Sequence, residues 1–362
     1  MGKQQKIFFD FLRFCIDSES EISASLKDAD WKELYVIARK QCLVGVLFDG
    51  IKKLPAEHVG MKKELLLQWM AESQMLEKAN VRLNDAAIQV SEWFRKKGFR
   101  TCILKGQGNA LIYPNPYSRT PGDIDIWVEG GDKRVISFVR SISPHEKACY
   151  HHIEFPSYKG VEVEVHYRPS FLLCFWHNRK LQKYYERVKE EQFSHRVMLG
   201  EQGEVAIPTA EFNVIFQLTH IFSHLMNEGI GLRQLLDYYF VLSMLSVNYE
   251  MLTSLQKELK ELGLWKFAGA IMYIMQKVFG LPASRLIVPP NEKYGKFVLN
   301  EVLEAGNFGK QDERNCFGKS QFGHNLQRVY RDMRLVKYFP AEALCEPIFR
   351  VWHFFWRVKN KK

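Results

Sequence analysis

Pro121-Gly122-Asp123-Ile124-Asp125-Ile126-Trp127-Val128 is the segment on which the fold turns. From Asp123 onward its residues alternate, which predicts a strand over residues 123–129. Alternate side chains of a strand share a face. Asp123, Asp125 and Trp127 therefore project one way, and Ile124, Ile126 and Val128 the other. The aliphatic set packs on a core, and two carboxylates are left side by side. Like charges this close resist joint ionisation. A divalent cation resolves the conflict, and Mg²⁺ takes one or two carboxylates with substrate phosphates and water. The plain alternative is a Pro-Gly-Asp turn with two solvated acids. Asp-x-Asp alone does not decide between them.

The flanks add two features. Upstream, Ile103-Leu104-Lys105-Gly106-Gln107-Gly108-Asn109-Ala110 reads as a buried strand (from Thr101) turning through glycines into a short helical stretch. Glycines let a backbone approach phosphate, the N–H groups of a helix start favour anions, and Lys105 adds positive charge. The P-loop spacing is missing, and by itself this is an ordinary strand–turn–helix corner. Downstream, 151–155 and 161–167 read as a hairpin around Pro156-Ser-Tyr-Lys-Gly160. Its second strand puts the valines and Tyr167 on one face and Glu162, Glu164, His166 and Arg168 on the other. Alone it is a strand with its polar face in water. Beside the Asp123 strand it brings a third carboxylate to the pair.

Outside this unit the periodicity is helical. Leu65, Trp69, Leu76, Leu83, Ala87, Val90 and Phe94 recur at helical spacing, and Lys96-Lys97-Gly98 ends the run. Residues 132–142 and 178–195 also read as helices, Pro208-Thr209 opens a helical region to about residue 280, and residues 281–295, with three prolines, read as a connection. The last 65 or so residues are again mostly helical. The fold class is α+β: a core over residues 99–207, between helical regions over 1–98 and 208–362.

Composition bounds the rest. The 362 residues are 46% hydrophobic and 25% charged, ordinary for a globular protein with a substantial core. No apolar run is long enough to span a bilayer. Asp10 and Arg13 interrupt the apolar N-terminal stretch, so it makes a poor signal peptide, and Lys6 stands where a myristoylation signal wants Ser or Thr. Seven scattered cysteines without a Cys-x-x-Cys pair fit reduced thiols and a cytoplasmic setting. The net charge of +10 permits an anionic partner, but the basic residues are spread along the chain. The tail Arg357-Val-Lys-Asn-Lys361-Lys362 follows Trp352, Phe354, Phe355 and Trp356, and predicts a C-terminal helix packed by its aromatics with a frayed polar end.

Together these residues carry a resemblance. A glycine corner, Asp-h-Asp-h on a strand (h being apolar) and an acid on a later strand resemble the polymerase-β-like nucleotidyltransferase superfamily. More narrowly, Leu104-Lys105-Gly106, Arg119 with Gly122-Asp123-Ile-Asp125, Glu164-Val-His166-Tyr167, and Arg233 with Asp237 resemble a bacterial family of uncharacterised nucleotidyltransferases, over roughly residues 100–240. The resemblance implies a small mixed-sheet nucleotidyltransferase core in which Asp123, Asp125 and Glu164 hold Mg²⁺ or Mn²⁺. It implies that Lys105, Gly106, Gln107, Arg119 and Gly122 bind a nucleoside triphosphate such as ATP. It also implies transfer of a nucleoside monophosphate to a hydroxyl on a small molecule, sugar, protein or RNA. The chain departs from the pattern at Lys105-Gly106-Gln107, where the superfamily has Gly-Ser or Gly-Gly, at Glu164, where it has Asp, and at Tyr167, where the family has Trp.

His152, Glu162, His166, Arg233 and Asp237 are further residues for the cleft, and His151 shares the hairpin start with His152. Arg233 and Asp237 also have the spacing of a simple helical ion pair. His220 and His224 share a helix face without the Glu of a zinc-protease motif, which favours packed histidines. Tyr113-Pro-Asn-Pro-Tyr-Ser118 is a rigid loop placed to shape an acceptor pocket. Two functional readings follow. One is a Mg²⁺-dependent nucleotidyltransferase. The other is a non-catalytic nucleotidyltransferase-like module that acts with a protein or RNA partner.

Overall fold

The computed structural model sets a four-stranded sheet among helices from both ends of the chain. It describes residues 2–17, 22–55, 60–201, 203–309, 312, 314, 317 and 321–360. Lys361 and Lys362 of the basic tail lie outside the described residues.

Among the described residues, four α-helices precede the sheet: α1 (Lys3–Ile16), α2 (Trp31–Lys40), α3 (Val44–Lys53) and α4 (Lys63–Lys96). Asp30 caps α2 by accepting from the N–H groups of Lys32 and Glu33. α4 runs for 34 residues and ends in Arg95 and Lys96, cations that suit the negative end of its dipole.

The sheet contains β1 (Thr101–Ile103), β2 (Ile124–Val128), β3 (His152–Tyr158) and β4 (Val161–His166), in the order β1-β2-β4-β3. β2 runs parallel to β4 and antiparallel to β1, and β3 and β4 form the expected hairpin. Parallel neighbours need a crossover, and the helix α6 (Gly131–Ile142) lies on it. Ile124, Ile126, Val128, Val163 and Val165 bury one face of the sheet against Leu83, Ala87 and Phe94 of α4 and Val135 and Val139 of α6. Trp127 points to the other face, where its ring lies 4.6 Å from that of Phe193 and 5.9 Å from that of Phe212. The alternation of the opening segment is thus realised as a sheet packed on both sides.

Phe193 belongs to α7 (Phe175–Ser194) and Phe212 to α8 (Ala210–Asn227). Between them lies a short antiparallel pair, β5 (Arg196–Met198) and β6 (Glu204–Ala206). Then follow α9 (Leu232–Met244), α10 (Tyr249–Glu261), α11 (Trp265–Phe279), α12 (Glu292–Ala305), α13 (Gln321–Leu335) and α14 (Pro340–Lys359). The four-residue α5 (Gln107–Ala110) sits at the glycine corner after β1. The connection expected over 281–295 ends sooner, because Asn291 caps α12. N-terminal and C-terminal helices share one apolar core, from Phe8 and Leu12 of α1 to Ile271 and Val278 of α11.

The C-terminal helix forms, but its aromatics divide. Phe349 is buried, Trp356 packs on the sheet-side core, and Phe354 and Phe355 stay 54% and 65% exposed. A single helix cannot turn residues 349, 354 and 355 to the same side.

The loop between α5 and β2 carries Arg119 and is held from several directions. Asn80 of α4 donates to the carbonyls of Tyr117 (2.9 Å) and Arg119 (2.8 Å), and Thr120 donates to that of Cys42 (2.8 Å). Gly45 of α3 lies so close that a Cβ there would come within 2.3 Å of the Ser118 carbonyl oxygen. Gly45→Ala is therefore expected to destabilise the fold by about 1–3 kcal/mol, the usual range for overpacking. Urea unfolding checks this, and a variant as stable as the parent overturns the close contact.

Candidate active site

Asp125 lies within β2 and Glu164 within β4, and the parallel register sets them directly opposite one another. Asp123 stands just before β2. Carboxylate oxygens of Asp123, Asp125 and Glu164 all lie within 4.8 Å of one another. This is the trio expected from the sequence.

Two cations meet it. Lys105 Nζ donates to Asp125 Oδ1 at 2.8 Å, and His166 Nε2 donates to the same oxygen at 2.9 Å. His166 Nε2 is also 3.4 Å from Glu164, and its Nδ1 lies 3.3 Å from the Arg168 carbonyl oxygen. Both ring nitrogens face acceptors, which an imidazolium satisfies and a neutral ring cannot. Burial works against that charge, but the bonds to Asp125 and Glu164 prevail and raise the pKa to about 9. Asp125 shows the converse. Burial pushes its carboxyl up, while Lys105 and His166 outweigh it and hold it well below the ordinary range. At Asp123 the balance is reversed. The charge of Asp125, then burial, raise it to about 6, because Lys105 lowers it less than its neighbours raise it.

A cleft with two arms surrounds these groups. The deep arm is narrow, about 40 Å³, and is lined by Lys105, Gly106, Arg119, Gly122, Asp123, Asp125, Arg233 and Asp237 among others. Gly106 turns the chain there at φ +58°, a conformation open to glycine. Arg119 and Asp237 form a two-pronged bond, 2.8 Å on each prong, and Tyr113 donates to Asp237 at 2.6 Å. Arg233 donates to the Thr120 carbonyl at 3.1 Å. Asp237 thus takes Arg119 as its bonded partner across the fold, not the Arg233 one helical turn away.

The wide arm, about 610 Å³, has a volume typical of small-molecule sites. Lys105 and Asp123 line both arms. His151, His152, Glu164, His166, His220 and His224 line the wide one. Burial, then His166, lowers His152 to about 4, and burial holds His151 and His220 well below the ordinary range, so these rings stay neutral. Arg328 of α13 and Glu346, Arg350 and His353 of α14 close the far side.

The remaining expected residues fall elsewhere. Gln107 is buried and donates to Asn84 of α4, so its side chain turns away from both arms. Glu162 is exposed and lines neither arm. The loop 113–118 borders a separate hollow toward α1 and α3, so it does not shape the wide arm. His220 lies 3.4 Å from Lys105 Nζ and faces the cleft, although its spacing favoured a packed role. The C-terminal residues of the wide arm carry no motif, and only the tertiary fold brings them there.

No curated protein matches the chain. Among solved structures, an antigenic nucleotidyltransferase-like protein from Paracoccidioides brasiliensis overlaps 59% of this chain and 95% of its own, at 15% identity and a TM-score of 0.33. An overlap that loose carries no argument. The family comparison is broader and independent of that overlap. A family described as uncharacterised nucleotidyltransferase matches over residues 27–280, a stretch that holds the glycine corner, all three clustered carboxylates and the Arg119–Asp237 pair, and the chain belongs to that family.

Proposed function

We propose that the cleft transfers a nucleoside monophosphate from a nucleoside triphosphate to a hydroxyl acceptor. One observation carries the proposal: Asp125 and Glu164 face each other across parallel strands, with Asp123 in reach of both. The donor set is all oxygen, which suits Mg²⁺ or Mn²⁺. The raised pKa of Asp123, whose largest cause is the charge of Asp125, fits a site in want of a cation. When bound, the metal aligns the triphosphate and neutralises charge that develops during in-line displacement.

The chain's own groups supply the rest. His166 orients Asp125 and keeps it ionised. Lys105, Arg119 and Arg233 place positive charge along the deep arm, and Gly106 and Gly122 keep its wall free of side chains at the mouth where a phosphate would approach. Those three cations offset Asp123, Asp125 and Asp237, so an added divalent ion turns the arm net positive, as a polyphosphate needs. Glu164 faces the wide arm and is placed to take the proton of an acceptor hydroxyl. The acceptor oxygen then bonds to the α-phosphorus, the bond to the β-phosphate bridge breaks, and pyrophosphate leaves.

One observation favours the second reading. Asp125 Oδ1 already accepts from both Lys105 and His166, which satisfies it as in a non-catalytic module that works with a partner. The trio argues the other way, since a site without a cation to bind gains nothing from crowding three acids.

Mg²⁺ with a nucleoside triphosphate is expected to raise the melting temperature, and pyrophosphate is expected to appear once an acceptor is supplied. The shift should depend on pH. Asp123 has a folded pKa of about 6 against an ordinary 3.8, so its ionisation costs stability as pH rises through that window. A cation relieves this cost. The Mg²⁺-dependent shift is therefore expected to be larger at about pH 7.5 than at about pH 5. No shift with any common triphosphate, in thermal melts at both pH values, sinks the proposal. A shift without pyrophosphate release, across acceptors of each class, supports the non-catalytic reading.

A further inference from the structure

At the starts of α7 and α14 lie four side chains that line neither arm of the cleft. Cys174 is the residue before α7, and His177 lies in its first turn. Glu342 lies in the first turn of α14, and Cys345 follows one turn later. Each helix start thus contributes two residues three apart: Cys174-x-x-His177 and Glu342-x-x-Cys345. Ligand atoms of Cys174, His177 and Glu342 all lie within 4.8 Å of one another. Burial raises the Cys174 thiol and the nearby Cys345 adds to that, which sets a second sulfur beside the group. Cys174, Glu342 and Cys345 are 0%, 4% and 7% exposed.

We propose that Cys174, His177, Glu342 and Cys345 form a closed structural zinc site that fastens the C-terminal helix to α7. Two sulfurs, an imidazole and a carboxylate are a tetrahedral zinc set, and paired ligands at short spacing are its usual presentation. Zinc bond lengths of about 2.0–2.3 Å bring ligand atoms within about 4 Å of one another, close to the spacing already present among Cys174, His177 and Glu342, and Cys345 is the fourth ligand that binding draws in.

The surroundings are arranged to hold ligands. Glu342 Oε2 accepts from the backbone N–H groups of Leu173 (2.6 Å) and Cys174 (3.1 Å), which fixes the carboxylate. Its other oxygen faces His177 Nδ1 at 3.3 Å. The His177 ring lies flat on Gly263, where a Cβ would come within 2.3 Å of it, so its orientation is fixed as well. Such supporting contacts are what set first-contact ligands in place.

Charge favours the same conclusion. Binding Zn²⁺ releases the two thiol protons, and the ion with two thiolates, one carboxylate and a neutral imidazole carries one net negative charge. The starts of α7 and α14 are the positive ends of two helix dipoles, where an anionic cluster is stabilised. A closed set of four protein ligands leaves no position for substrate, so the role is structural. It also bears on the cleft, because α14 supplies Glu346, Arg350 and His353 to the wide arm.

The test uses the full chain, produced with zinc in the medium and purified without chelators. Elemental analysis is expected to find one zinc per chain. Cobalt substitution is expected to give thiolate-to-cobalt charge-transfer absorption. C174S and C345S should each lose the metal and the absorption, while C149S, at the other cysteine–histidine group, should keep both. A chain that binds neither zinc nor cobalt overturns the proposal. So does zinc that survives C345S but is lost in C149S, or an intact mass lighter by two hydrogens that maps to a Cys174–Cys345 disulfide. If C174S and C345S do not fold, the cobalt spectrum of C149S decides, because thiolate bands that persist there come from sulfur other than Cys149 and their loss overturns the proposal.

Discussion

Asp125→Asn is expected to abolish the Mg²⁺-dependent nucleotide shift and to lower pyrophosphate release by at least about a thousandfold, since a lost metal ligand removes several kcal/mol of transition-state stabilisation. Asparagine keeps the shape of the side chain and one oxygen for Lys105 or His166. It cannot carry the negative charge that a divalent ion needs. Lys105 keeps the nearby charge of Asp123, so the fold should survive with a loss of about 1–3 kcal/mol. His166 gives an independent readout. Its folded pKa of about 9, against an ordinary 6.5, rests on bonds to Asp125 and Glu164. That interaction stabilises the parent fully below about pH 6.5 and is lost as pH rises through about 9. In the variant the His166 titration, followed by NMR, should fall toward 6.5 and this part of the pH dependence should shrink. A folded variant that still releases pyrophosphate at the parent rate removes Asp125 from the mechanism.

The elements around Asp125 were legible because their signals are local. Alternation over 123–128 and 161–167 predicts both strands and the face of every side chain in them, and the hairpin forms where Lys159 and Gly160 turn the chain. The glycine corner is legible for the same reason. What escaped is what depends on distant partners. Arg119 and Asp237 are 118 positions apart, and spacing alone suggested Arg233 for Asp237. β5 and β6 have three residues each, too few to show a period. Gln107 sits in the corner sequence, yet its amide is taken by Asn84 because α4 crosses behind it. The C-terminal residues of the wide arm could not be assigned at all. Helical periodicity in α13 and α14 says which residues share a face, but not that the pair folds back over the sheet's carboxylates.

Asp237→Ala is expected to lower the unfolding free energy by about 3–5 kcal/mol, the cost of leaving one member of a buried ion pair behind. Arg119 is 5% exposed and Asp237 is 5% exposed, so water cannot replace the lost bonds. Burial works against ionising Asp237, and Arg119 and Tyr113 outweigh it to keep it charged. Removing the carboxylate strands the Arg119 guanidinium, leaves the Tyr113 hydroxyl without its acceptor, and sets the Arg119 and Arg233 charges against each other. A loss below about 1 kcal/mol in urea unfolding is what an exposed pair gives, and it overturns this account. Replacing both members by apolar residues separates stability from binding. Arg119→Met with Asp237→Leu removes the stranded charge and should recover most of the lost stability, as paired apolar replacements of buried ion pairs do. It also removes a cation from the deep arm. That double variant should therefore melt near the parent without ligand, yet show a reduced shift with Mg²⁺ and triphosphate. If it recovers both stability and the full shift, Arg119 serves the fold alone, and the phosphates must be held by Lys105 and Arg233.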